Sequence, residues 1–267
     1  MDSVYDRTEM LIGPIGLSAL RAAKVVVFGL GGVGGHVVEA LARAGVGELG
    51  VVDCDTVDVT NINRQIIALR SSVGKFKADL FAERIHDIND RIKVNASREK
   101  VTAVNAGEFF KDRYDYAVDA VDDVAAKVAL IEAAKALNVP VISSMGTGNK
   151  MDPARFMIAD ISGTHTCPLA KRVRKEISSR GISDVKVLFS DEPASRCGSG
   201  SGRPASISYV PAAAGMLIAG EVIRDLISFR GASGSLMDGG ADCAEELCAG
   251  GEQEGNPQSF LREHNTR

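Results

Sequence analysis

The sequence predicts an α/β protein: a Rossmann-like, mainly parallel sheet with helices on both faces, extended by C-terminal strands. Three observations predict it. Short β-branched apolar runs alternate with longer segments of helical spacing. The first run empties into a glycine turn, Gly29-Leu-Gly31-Gly32-Val-Gly34, that opens a helix. The second run ends on an acid, Asp53, roughly 20 residues further along.

Lys24-Val-Val-Val-Phe-Gly29 has the unbroken apolar character of a strand buried on both faces. Residues 34–44 follow as a helix, with Val37, Val38, Leu41 and Ala42 on one side. Residues 49–52 read as the second strand, and 76–88 as a helix through Leu80, Phe81, Ile85 and Ile88. A third strand at 92–96 and a helix at 104–110 precede a fourth strand at 116–121. A helix at 124–137 leads to a fifth strand at 139–144. Such alternation implies right-handed crossovers between parallel strands. After Gly148 the pattern changes to a strand at 155–161, a basic helix at 168–179 and a strand at 185–190. Residues 195–204, rich in glycine and serine, form a connector long enough to be functional, before a last helix at 210–229. Residues 1–240 are expected as one domain, with a nucleotide-binding core at 20–150 and a substrate-side extension at 151–240. Glycine and charge mark 241–267 as a tail.

With 267 residues, 45% hydrophobic and 25% charged, the chain has material for a sizeable core. It has no run of ~18 uncharged apolar residues, so no membrane span is expected. The opening Met-Asp-Ser-Val-Tyr-Asp-Arg lacks the basic and apolar regions of a signal peptide. Cys54, Cys167, Cys197, Cys243 and Cys248 are odd in number and scattered, which fits reduced thiols in a cytoplasmic protein. The net charge of −4 argues against a globally basic nucleic-acid binder. Locally, Lys171, Arg172, Arg174, Lys175 and Arg180 stand against the single acid Glu176. That cluster suits a polyanion or a solvated helix face.

The glycine turn offers backbone N–H groups and the positive end of a helix to a phosphate, and Gly29, Gly31, Gly32 and Gly34 free the approach. Asp53 is placed to accept hydrogen bonds from ribose hydroxyls. That much suits NAD or ATP. Residues 53–65 then add Asp55, Asn61, Asn63, Arg64 and Gln65, and Lys77 follows on the next helix. Hydride transfer has no need of cations beside the phosphates; nucleotidyl transfer does, because charge builds on the α-phosphate and the leaving pyrophosphate. Asp119, Asp122 and Asp123 stand at the C-terminal end of a strand, where such sheets build their sites, and Asp122 there suits Mg2+. Together these residues argue for a triphosphate.

Tyr5-Asp-Arg7, the glycine turn, Asp53–Gln65, Lys77 and Asp119–Asp123 resemble, in order and spacing, the ubiquitin-activating-type (ThiF/MoeB-like) adenylating superfamily. Ser144–Pro153, Cys167–Arg174 and Ser206–Pro211 resemble its tRNA threonylcarbamoyladenosine dehydratase branch, which extends the likeness to near Asp238. The resemblance implies ATP and Mg2+, a homodimer, and attack of a carboxylate on the α-phosphate. It implies Asp53 at the ribose, Asn61, Arg64 and Lys77 at the phosphates, and Asp122 at Mg2+, with Asp55 and Gln65 in the same nucleotide-binding set. Arg7 would reach the nucleotide of the partner subunit. In that branch the carboxylate of threonylcarbamoyladenosine in tRNA is adenylated, and ring closure expels AMP. A tRNA substrate would give Lys171, Arg172, Arg174 and Lys175 their polyanion.

No Cys-x-x-Cys pairs occur, and Cys243 with Cys248 makes one loosely spaced couple, so zinc is not expected. Cys197, beside Arg196, stands where some members carry an acyl-capturing thiol, and a sulfur-relay protein is the partner that role implies. Ring closure needs no thioester, and Cys197 reads as an ordinary loop residue. His36, His86, His165 and His264 show no base-and-nucleophile arrangement. A carbonyl-rich loop leaves room for K+ or Na+. Three other readings stay open: activation of a sulfur-carrier or ubiquitin-like protein's C-terminal glycine, an NAD(P)-dependent oxidoreductase, and a nucleotide-sensing module without turnover.

Overall fold

Seven strands join in one sheet in the computed structural model, which describes residues 4–195 and 204–234. In chain order they are β1 (Lys24–Phe28), β2 (Glu48–Val52), β3 (Lys93–Ser97), β4 (Tyr116–Asp119), β5 (Val141–Ser144), β6 (Phe156–Asp160) and β7 (Lys186–Ser190). Their spatial order is β3-β2-β1-β4-β5-β7-β6, and only the β6–β7 pairing is antiparallel. The strand order reverses between β1 and β4, the switch point at which open α/β sheets leave a crevice. Phe28 is level with Val52 on one side and with Asp119 on the other. Gly29, Asp53 and Ala120 therefore leave the sheet side by side at one edge.

Helices α1 (Asp6–Arg21), α2 (Gly34–Ala44), α3 (Lys77–Ile88), α4 (Val124–Ala136), α5 (Pro168–Ser179) and α6 (Tyr209–Gly234) complete the described residues. Alternation along β1 divides the core. Val25 and Val27 join a cluster with α2, α3 and α6, while Val26 and Phe28 face α4 and the turn Ala106–Phe110. A third cluster, through Val128, Val173 and Phe189, packs α4, α5 and β7 together. Each large side chain buried this way contributes about 1.5–3 kcal/mol. No helix among the described residues is long and apolar enough to cross a membrane.

The sequence pattern misses α1, because Gly13 and Pro14 interrupt it. In the fold Gly13 takes φ +71° and Pro14 restarts the helix beyond the kink. The expected helix at 104–110 is a short 3-10 turn, Ala106–Phe110. Thr102 and Asn105 exchange side-chain hydrogen bonds with each other's backbone N–H, which competes with helical pairing. The fourth strand stops at Asp119, short of 121, because that carboxylate turns back to accept from the Val121 N–H. The tail at 241–267 and most of the connector at 195–204 lie outside the described residues.

Buried charges tie the layers. Glu39 on α2, only 6% exposed, accepts from Arg43 on its own helix and from Arg84 on α3. Lys186 on β7 reaches Glu221 and Asp225 on α6, and Asp225 also accepts from the Tyr116 hydroxyl. Burial alone would raise the Glu39 carboxyl, but the hydrogen bonds and charges of Arg84 and Arg43 hold it below the ordinary value of 4.5. A lowered carboxyl adds stability above its unfolded pKa and loses it as pH falls through the folded one. Glu39→Gln is expected to cost about 2 kcal/mol at pH 7. Denaturant melts of both proteins from pH 7 to 3 should show that deficit shrinking below about 4.5.

Candidate active site

Of the four glycines in the turn after β1, two are dictated by backbone packing, one sits tightly under a side chain, and one meets almost nothing. Gly29 has φ +82°, and a Cβ there would lie 2.7 Å from the Ala120 carbonyl oxygen. At Gly34 a Cβ would lie 1.8 Å from the Gly29 oxygen, so α2 can start against the turn only with glycine. Gly32 packs under Pro211 of α6, whose ring carbon would be 3.1 Å from a Cβ. Gly31 differs. A Cβ there would meet only the Gln65 Nε2, at 3.7 Å. The space over Gly31 is open to a ligand that approaches the backbone.

Asp53 holds this turn in place. Its Oδ2 accepts from the Leu30 N–H at 2.7 Å, and its Oδ1 from the Asp55 N–H at 2.8 Å. The Lys77 ammonium lies 3.6 Å from the same Oδ2 and donates to Asp55 at 2.9 Å. Lys77 is 5% exposed, so this cation sits buried beside the glycine turn, against two acids. The stem of Arg64 lies against Gly32, with its Cγ 3.5 Å from where a Cβ would stand. Its Nη1 donates to Thr60 O and Asn63 Oδ1, which leaves Nε and Nη2 without a partner among the described residues. Asn61 spends its Oδ1 on the Asp58 N–H and keeps its Nδ2 free among the described residues. Gln65 is 7% exposed, and its Oε1 is a buried acceptor with no donor among the described residues. An orphan of that kind costs about 1–3 kcal/mol. The Gln65 atom that faces Gly31 is the amide nitrogen, Nε2, a donor that a ligand oxygen over Gly31 could accept from. The four positions Asp53, Arg64, Gln65 and Lys77 thus lie around the glycine turn.

The acids after β4 split in role. Asp119 is fully buried, and it accepts from Lys127 at 2.8 Å and from the Ser143 hydroxyl at 2.5 Å. Lys127 also donates to Ser144 O, so the pair is satisfied and structural. Asp123 caps α4 by accepting from Ala126 N–H. Asp122 is exposed and, unlike Asp123, makes no hydrogen bond or ion pair among the described residues; it stands two positions beyond the Ala120 carbonyl that abuts Gly29. Free carboxylate oxygens at that edge fit a hard divalent cation.

Sequence reasoning left His36 unassigned. Its Nδ1 lies 2.9 Å from the Gly32 carbonyl, and because a carbonyl only accepts, that nitrogen carries the proton. Pro211 was also out of reach of sequence reasoning, since its place over Gly32 depends on how α6 docks. Of the thiols, Cys54 is pushed up by burial and then by Asp55 and Asp53, so it stays protonated; Cys197 lies outside the described residues. Lys171, Arg172 and Lys175 project from α5 into solvent. Arg174 departs from the expectation. Its Nη1 donates to Thr164 O, Thr164 Oγ1 and Ile161 O, so it clamps α5 to the preceding loop. Arg7 is exposed and has no partner among the described residues. It lies two residues beyond Tyr5, whose ring packs on Gly45 at the far end of α2 from the glycine turn.

Comparison with known proteins adds to this geometry. Residues 5–237 match the ThiF family. A tRNA threonylcarbamoyladenosine dehydratase of Bacillus subtilis is 42% identical over 239 residues, covering 84% of this chain and 94% of that protein. The Escherichia coli tRNA N6-threonylcarbamoyladenosine dehydratase, TcdA, solved in complex with AMP, superposes with a TM-score of 0.80 at 31% identity, covering 87% of this chain and 100% of that one. The same enzyme in complex with ATP gives a TM-score of 0.79 at 32% identity, over 88% and 96% of the two chains.

Packing and ligand approach separate at two glycines. Gly34→Ala should destabilise the fold by more than about 3 kcal/mol, because the clash is with backbone. Gly31→Ala should leave the melting transition near wild type yet weaken nucleotide binding about tenfold, a combination that calorimetric titration beside a denaturant melt would resolve.

Proposed function

We propose a function from one premise: the chain belongs to the ThiF family, and within it to the tRNA threonylcarbamoyladenosine dehydratases. It is an ATP-dependent adenylating enzyme that acts on the carboxylate of threonylcarbamoyladenosine in tRNA and closes it into a ring. The observation that carries this reading is the convergence of Arg64, Lys77 and the Gln65 amide on an open glycine turn. Oxidoreduction has no use for that pair of cations, and the likeness to dehydratases along most of the chain favours tRNA over a carrier protein.

The turn after β1 holds the phosphates on backbone N–H groups and the N-terminus of α2. Asp53 keeps the turn closed and stands at the edge where the ribose lies. The unspent donors of Arg64 and Asn61, together with Lys77, stabilise charge on the α-phosphate and on departing pyrophosphate. The substrate carboxylate attacks the α-phosphorus, and the bond to pyrophosphate breaks. A nitrogen or oxygen of the same threonylcarbamoyl group then attacks the activated carbonyl, and the bond to AMP breaks. The net change in the nucleoside is the loss of one water. Holding both nucleophiles in one site supplies much of the acceleration. Asp122 would hold Mg2+, which when bound neutralises phosphate charge. Lys171, Arg172 and Lys175 form the face that meets the tRNA backbone. A reaction that consumes ATP and acts on tRNA suits the cytoplasm.

The working unit is a homodimer. Met10 and Leu11, each 86% exposed, and Ile15, 75% exposed, give α1 an uncovered apolar face. Arg7, two residues beyond the Tyr5 that packs at the Gly45 end of α2, is read as serving the glycine turn of the second copy.

Incubation with ATP and modified tRNA should yield AMP and a nucleoside lighter by one water on mass spectrometry; an unchanged nucleoside would refute the tRNA assignment. Lys77→Ala should slow AMP release about a hundredfold or more. Inactive Arg7→Ala and Lys77→Ala proteins, mixed and re-equilibrated, should recover part of the activity; no recovery would mean that Arg7 does not act in trans.

A further inference from the structure

We propose that Asn63 is a positioning residue that ties the aim of Arg64 to the segment on the tRNA side of the site. Its Oδ1 accepts from Arg64 Nη1 at 2.9 Å, and its Nδ2 donates to the Ser206 carbonyl at 3.1 Å. The amide has only one workable orientation. A guanidinium can only donate and a carbonyl can only accept, so the oxygen must face Arg64 and the nitrogen must face Ser206.

The Ser206 end belongs to a short chain of contacts that runs to the basic helix. Ala205 N–H donates to the Asn149 Oδ1 at 2.8 Å, and the Asn149 N–H donates to the Ala205 carbonyl at 2.8 Å. Asn149 sits at φ +59°, and its own carbonyl accepts from Ser195 N–H at 2.8 Å, so one residue joins both neighbouring strands of chain. The loop that carries Asn149 packs on the start of α5: a Cβ at Gly146 would lie 3.5 Å from the Cys167 sulfur and 3.9 Å from Leu169. From α5 to Arg64 the path runs by packing at Gly146, along the chain to Asn149, by hydrogen bonds to Ala205, along the chain to Ser206, and by hydrogen bonds through Asn63. Displacing Ser206 moves one of the two acceptors that hold Arg64 Nη1, the other being the Thr60 carbonyl, and pivots Nε and Nη2 on the same rigid plane.

Nucleotide affinity then depends on whether tRNA occupies the α5 side, and the dependence must be reciprocal. The inference rests on the tRNA reading above, and the test separates the two. The probe is a non-hydrolysable ATP analogue, and its dissociation constant is measured with and without tRNA carrying threonylcarbamoyladenosine. Wild-type protein is expected to bind the analogue about fivefold or more tightly when tRNA is present. Asn63→Asp keeps an acceptor for Arg64 but sets oxygen against the Ser206 carbonyl, and the ratio should fall to about one, whatever the affinity of the free enzyme. Asn63→Ala loses both arms and should bind the analogue more weakly than Asn63→Asp. A purely structural role would lower both affinities and leave the ratio intact. A wild-type ratio of one, a ratio preserved in Asn63→Asp, or the reverse order of the two variants overturns the inference. Failure of the wild-type protein to remove water from the tRNA overturns the tRNA reading instead.

Discussion

The Asp53 carboxylate is the joint on which the site depends. One oxygen holds the Leu30 N–H of the glycine turn, the other holds the Asp55 N–H, and Lys77 lies against the first. Three elements that are separate in sequence, the end of β1, the end of β2 and the start of α3, are fastened at one charged group. Charge-assisted hydrogen bonds of this kind are stronger than neutral ones, and in a partly buried place water competes with them poorly. The turn is therefore set before any nucleotide arrives. A preset turn costs little reorganisation when charge develops on phosphorus.

A second buried pair does similar work on the neighbouring strand. Asp119 and Lys127 are wholly enclosed, and each is hydrogen-bonded to further groups, which is what makes a buried ion pair tolerable. Removing one partner of such a pair costs about 3–5 kcal/mol, because the other is left charged and alone. The second oxygen of Asp119 holds Val121 N–H, so the loop presenting Asp122 rests on this pair. Neutralised acids below the edge and an unpaired acid above it give two otherwise similar residues opposite roles.

The chemistry asks for few reactive side chains. No activated thiol is found among the described residues, and Cys54 is held protonated by burial and by its acidic neighbours. What the site supplies is fixed positive charge, backbone donors and shape, while the substrate brings both nucleophiles. That division suits nucleotidyl transfer, where stabilising charge on leaving phosphates is the main task.

Much of this was legible in the sequence. The β-branched runs, the glycine turn and Asp53 located β1, α2 and β2, because backbone geometry and burial act on local pattern. The same local pattern singled out the cations Arg64 and Lys77 as candidates. It could not say that Lys77 lies against Asp53 and Asp55, or that Arg174 is spent on the loop at Thr164. Both are pairings across sequence, and spacing alone does not reveal them. Helix α1 escaped because Gly13 and Pro14 break its periodicity, and packing of Leu17 and Leu20 restores what the local signal denies. Which of the acids Asp119, Asp122 and Asp123 remains free was likewise decided by burial and capping in three dimensions. The sequence by itself determined the kind of sheet and the residue types at its edge, since both follow from short-range sterics and hydrophobic alternation. Only the tertiary structure decided which charges meet, because a charge is neutralised by whatever group the fold brings within a few ångströms, however distant in the chain.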